Sequence, residues 1–210
     1  MTGDPIVLVF TIIILIYSII FHEISHGYAA YLCGDTTAKD RGRLSLNPIP
    51  HIDPVGSIMV PLVLIVLNAG FLFGWAKPVP VNPFYFRNRR RDEIIVSLAG
   101  PMANFALIAV LLVTARILYV FFPDSTRLMQ IFFSGMILNF VLGIFNLIPI
   151  PPLDGSHVVR NLFMGSVEEF YRKIEPFGFL ILMGVIYFGV AGSVIMFLLR
   201  YFYRFLMLFF

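Results

Sequence analysis

Five long stretches of this chain carry no charged side chain: residues 5–21, 54–76, 94–115, 128–153 and 176–199. Short segments rich in Arg, Lys, Asp and Glu separate them. A helix needs about 20 mostly apolar residues to cross the hydrocarbon of a bilayer. The four longer runs meet that length. The first is shorter, but its helix is expected to continue through Tyr28 and Ala29 to Cys33, with Gly34 ending it. Pro176 suits the first turn of the last helix. The closing RYFYRFLMLFF sets Arg200 and Arg204 one turn apart among aromatics. It reads as an interfacial helix or a short return into the membrane.

Two segments break the helical pattern. Residues 42–56, GRLSLNPIPHIDPVG, contain Pro48, Pro50 and Pro54 and cannot form a regular helix. Arg43, Leu44, Ser45 and Leu46 alternate polar with apolar, as a short strand would. A strand in lipid needs partners for its backbone, so a hairpin packed on protein or at the cytoplasmic surface is expected. Residues 76–83, AKPVPVNP, are held extended by their prolines. The expected fold is an all-α polytopic membrane protein of about four to six transmembrane or re-entrant helices, with a short membrane-associated β-hairpin. It forms a single domain over residues 1–210, with a core at 5–160 and C-terminal helices at 176–210.

Composition supports lipid as the main solvent. Of 210 residues, 59% are hydrophobic and 13% charged, against roughly 25% charged in soluble domains. The net charge of +3 is small, so the basic residues mark topology and not a nucleic-acid partner. A single cysteine, Cys33, excludes an internal disulfide framework and a Cys-rich zinc site. The N-terminal Met-Thr-Gly-Asp-Pro lacks the basic region and cleavage site of a signal peptide, so the first run is expected to stay in the mature protein.

The first run ends in His22-Glu23-Ile24-Ser25-His26. On a helix, residues four apart share one face, so the two imidazoles can hold one zinc ion. The glutamate between them can reach a water activated by that ion. A catalytic zinc site usually takes three protein ligands and keeps one open position. His51, Asp53, Asp154 and His157 are the candidates for the third, and Asp154 is the best placed. It follows Pro149, Pro151 and Pro152, a helix break at membrane depth. Irregular backbone there must face protein or a watery cavity, and a carboxylate there is costly unless paired or metal-bound.

The basic residues set the orientation. Eleven of the fifteen lie in the loops after the first, second and fourth runs. The positive-inside rule places those loops on the cytoplasmic side. Residues 54–76 must then enter and leave on one side, and the third and fourth runs form an out-and-back hairpin. Metal binding makes the same demand. Asp154 reaches the depth of the histidines only after an even number of crossings; otherwise it would sit about 30 Å away.

HEISH at the end of the first span, followed far along the chain by NLIPIPPLDG, resembles the site-2 protease family of intramembrane zinc metalloproteases, peptidase family M50. LAGPMANF at 98–105 resembles that family's Gly-Pro-x-x-Asn helix. HIDPVGS and GWAKPVPVNP resemble its short branch without a PDZ or CBS module. One departure is Leu-Asp-Gly-Ser-His, where many members carry a second glycine. The resemblance implies one Zn2+ per chain held by His22, His26 and Asp154, with Glu23 as general base. It implies that Asn146 binds the substrate backbone or the oxyanion, and that GRLSL pairs with an unwound substrate segment by strand addition. On the residues themselves, His51 is expected near the substrate or as an accessory metal contact, with a surface or hairpin histidine as the alternative, and His157 either orients a ligand or is a solvated loop histidine.

The expected activity is zinc-dependent hydrolysis of peptide bonds in transmembrane or membrane-proximal protein segments. The setting is a multi-pass protein of the cell membrane, with its active site toward the cytoplasm. Two other functions compete: a zinc peptidase acting on juxtamembrane or cytosolic peptides, and a non-catalytic membrane scaffold that keeps the fold. A scaffold is expected to have lost Glu23 or a ligand, and all four residues are present. A transporter would show repeated halves, and the chain has no internal repeat.

Overall fold

The computed structural model describes residues 4–68 and 74–210. Helix α1, Pro5–Cys33, starts where the Asp4 carboxylate accepts from the backbone N–H of Ile6 and Pro5 occupies the first turn. It ends at Gly34, whose φ of 112° is one that glycine adopts most readily. A short α2, Thr37–Asp40, follows. After an irregular stretch come a wide helical turn at Pro54–Met59 and α3, Val60–Val66. Helix α4, Arg89–Phe121, is capped by the Asn88 side chain and runs through Pro101. Helix α5 is Thr126–Asn146. The C-terminal part holds α6 (Asp154–Leu162), α7 (Ser166–Ile174), α8 (Gly178–Tyr187) and α9 (Val190–Leu206).

Helices α1, α4 and α5 pack on one another, with α4 also carrying α6. These three are long and apolar enough to cross a membrane. Their outward side chains, such as Leu8, Phe10, Val110 and Val120, are large, apolar and exposed, which suits contact with lipid and not with water. Helix α9 closes the bundle by setting Leu199, Phe202 and Leu206 against Ile108 and Met136. The stacked rings of Phe140 and Phe202 belong to the same contact.

Two expectations change. Among the described residues there is no β-strand, so the β-hairpin at 42–56 is not formed. Arg43 is buried and donates to the Lys77 carbonyl at 2.8 Å, while Leu46 is exposed. Prolines 48, 50 and 54 have no N–H to give a ladder. The segment is instead stitched to residues 74–77 by scattered bonds, Lys77 N–H to His51 O at 2.9 Å and Trp75 N–H to Gly56 O at 3.1 Å. Second, the last apolar run is not one helix. It breaks at Gly189, with φ 72°, and the helical stretch Ser166–Tyr187 meets α9 at 62°. In the described part of residues 54–76, which were expected to enter and leave on one side, helix covers Pro54–Val66. Thirteen residues rise about 20 Å, short of the roughly 30 Å hydrocarbon core. Residues 69–73 of that run lie outside the described residues.

Candidate metal centre

His22 and His26 lie one turn apart on α1 and face α4 and α6. Asp154 is the first residue of α6. The break before it is shaped by its prolines and locked from two directions. A Cβ on Gly155 would lie 2.2 Å from the Leu147 carbonyl oxygen, so α6 starts hard against the end of α5. The Tyr171 hydroxyl donates to the Pro149 carbonyl at 2.9 Å.

These elements bring three side chains to one point. Asp154 Oδ2 lies 3.2 Å from His22 Nε2 and 3.4 Å from His26 Nε2, and the two Nε2 atoms are 3.0 Å apart. His26 Nδ1 donates to the Val96 carbonyl at 2.7 Å, which can only accept, so in the neutral ring Nε2 carries the lone pair. His22 Nδ1 donates to Asn104 Oδ1, also at 2.7 Å. Its Nε2 likewise carries a lone pair. The Asp154 carboxylate adds a third acceptor at the same point.

With both rings neutral, three electron-pair donors converge at one point, and among the described residues buried Asp154 Oδ2 has no hydrogen-bond donor. A cation answers that arrangement. Atoms about 2.0–2.1 Å from a tetrahedral zinc are about 3.3 Å from each other, and the three observed separations bracket that value. Two imidazoles and a carboxylate are also a donor set zinc accepts. Helix α4 allows the approach because residue 100 is glycine. A Cβ there would stand 2.4 Å from His26 Nε2 and 2.6 Å from His22 Nε2.

The triad forms part of the wall of a cavity of about 1040 Å³. Glu23, Asn146 and His157 line the same cavity. Glu23 Oε2 accepts from the Val79 N–H at 2.8 Å, and among the described residues the other oxygen has no such bond. Asn146 spends one amide hydrogen on the Leu142 carbonyl at 3.0 Å. His157 accepts from Arg160 at Nδ1, and burial with the neighbouring guanidinium lowers its pKa, so the ring is neutral. Trp75, Pro78 and Val79 form one side, and Phe179, Leu182 and Ile195 another.

His51 and Asp53 are not brought to the site. His51 is buried elsewhere and donates from Nε2 to the Ser45 carbonyl at 2.8 Å. Asp53 caps the turn at Pro54–Met59 by accepting from Val55 and Gly56. Sequence reasoning missed the cavity-lining pair Glu93 and Arg160, 3.3 Å apart, and the donor Val79. Glu93 could have been found as an acid directly preceding an apolar run. The Val79 contact leaves no local signal.

The geometry predicts that Gly100→Ala displaces the imidazoles. Zinc measured by atomic absorption should fall well below one ion per chain, while helix content by circular dichroism is unchanged.

The model of peptidase family M50 matches residues 123–189. The chain is 39% identical over 192 residues to "Putative zinc metalloprotease YwhC" of Bacillus subtilis, covering 89% of this chain and 84% of that protein. It is 31% identical over 174 residues to "Putative zinc metalloprotease Rip2" of Mycolicibacterium smegmatis and 33% identical over 170 residues to Rip2 of Mycobacterium tuberculosis. In both cases 79% of this chain is covered and the chain spans 62% of the relative. No solved structure gives a significant match. With its paired histidines and aspartate at the wall of a cavity among apolar helices, and with that extent of shared sequence, the chain belongs to peptidase family M50.

Proposed function

We propose that this chain is a zinc endopeptidase that cuts transmembrane or membrane-proximal segments of other proteins within the bilayer. The observation that carries this reading is the triad's place: three metal-binding atoms open onto a cavity enclosed by helices whose outer faces are apolar. His22, His26 and Asp154 would hold the zinc. Bound there, zinc supplies Lewis acidity, which makes water acidic enough to ionise near neutral pH and polarises a peptide carbonyl.

The chain's own residues do the rest. Glu23 takes a proton from the attacking water and returns it to the leaving amine. The Val79 N–H holds one Glu23 oxygen, leaving the other to carry the proton. Asn146 keeps one amide hydrogen for the oxygen of the substrate carbonyl. A substrate helix has its carbonyls tied in hydrogen bonds, so it must unwind before it is cut. With residues 42–46 irregular and absent from the cavity wall, the wall offered to an unwound segment is 74–83.

A second reading has support of its own. Glu93, Arg160 and His157 line the same cavity, and a charged end suits a segment just outside the bilayer. Membrane-proximal peptides therefore belong to the same substrate class. The orientation follows from charge: α4 opens with Arg89, Arg90 and Arg91, and its far end joins α5 through residues 122–125. The positive-inside rule places the triad toward the cytoplasm of a multi-pass protein.

Two outcomes follow. Glu23→Gln should retain zinc and lose about 10²–10⁴-fold in cleavage of a reconstituted transmembrane substrate; equal cutting by both forms would remove Glu23 from the chemistry. Cysteines placed at Arg87 and Asp124, in a Cys33→Ala background, should react with an impermeant thiol reagent from opposite faces of a sealed vesicle. Labelling from one face would refute the proposed crossing by α4.

A further inference from the structure

We infer that Asn104, Asn139 and Ser18 form a hydrogen-bond relay that sets the tautomer and orientation of His22, and through it the affinity of the site for zinc. The inference rests on His22 being a zinc ligand, as proposed above. All three residues are buried: Asn104 and Asn139 have no exposed surface and Ser18 has 2%. They sit on α4, α5 and α1, where the three long helices meet.

The direction of each bond is forced. Asn139 Nδ2 faces the Gly135 carbonyl at 2.9 Å and Ser18 Oγ at 2.8 Å. The Ser18 hydroxyl hydrogen goes to the Ile14 carbonyl at 2.7 Å, so its oxygen accepts. A backbone carbonyl only accepts, so Asn139 must turn its NH2 toward Gly135. Its Oδ1 then faces Asn104 and accepts from Asn104 Nδ2 at 3.0 Å. The Ser18 carbonyl, 3.5 Å from the same nitrogen, favours the same direction. Asn104 must therefore present Oδ1 to His22, and His22 must donate from Nδ1. That leaves the lone pair of Nε2 aimed at the metal position. A flip of either amide would bring two acceptors face to face in a buried site.

His26 has the same constraint from a single backbone carbonyl, that of Val96. His22 depends on side chains from two other helices, so its orientation can be altered without touching a ligand. Partners of this kind typically change metal affinity by 10–100-fold. A merely interhelical role for the asparagines would alter stability and leave the metal untouched.

The test uses the full chain in lipid nanodiscs. Zinc affinity is measured by competition with a chelator, and ligand geometry by the visible spectrum of the cobalt-substituted protein. Asn104→Leu and Asn139→Leu should each weaken zinc binding by about 10–100-fold and shift the cobalt bands. The double variant should be no weaker than Asn104→Leu, because both act through one bond to His22. Asn104→Asp in the Asn139→Leu background gives His22 a group that only accepts, and should restore affinity to within about threefold of wild type. If Asn139→Leu does not fold, Asn139→Ala carries the same expectation. Wild-type affinity and spectrum in the asparagine variants, with zinc lost in His22→Ala, would overturn the relay alone. Wild-type zinc affinity in His22→Ala would overturn the ligand assignment and the relay with it.

Discussion

Three metal-ligand atoms facing one another at one point form the constraint on which the structure turns. Two imidazole nitrogens and a carboxylate oxygen, all within 3.4 Å, repel unless a cation sits among them. Each is held against that repulsion by a bond on its far side or by backbone. His26 is tied to the Val96 carbonyl, His22 to Asn104, and Asp154 to the first turn of α6.

That requirement reaches into the rest of the fold. The end of α1 and the start of α6 must share one depth although α4 and α5 separate them in sequence. An out-and-back pair of helices meets the demand, and the proline-broken turn after α5 delivers the carboxylate. Glycine at 100 lets α4 pass under both rings, and glycine at 155 lets α6 press on the end of α5. Polar atoms deep in the bundle follow the same economy: every bond in the Ser18–Asn139–Asn104 group has a partner across a helix interface or within its own helix.

Much of this was legible in the sequence because it is local or compositional. The extent of α1 followed from an apolar run, the Gly34 stop and the one-face spacing of His22 and His26. Asp154 stood out as a charge at a proline break, where only a partner justifies its burial. The expected hairpin failed because alternation at 43–46 is not enough: a strand also needs a partner ladder, which three prolines deny. The break at Gly189 was hidden inside an apolar run, where glycine is common in membrane helices. The roles of Asn104 and Glu93 depend on which residues arrive from α1 and α6, and no spacing along α4 contains that information.

X-ray absorption at the zinc edge, on the purified chain in lipid, tests the central claim most directly. A site of His22, His26 and Asp154 predicts a first shell of nitrogen and oxygen at about 2.0–2.1 Å, with outer-shell scattering from two imidazoles. A sulfur neighbour at about 2.3 Å would move the metal to Cys33, and the absence of imidazole scattering would remove it from the HEISH helix; either result would contradict the account.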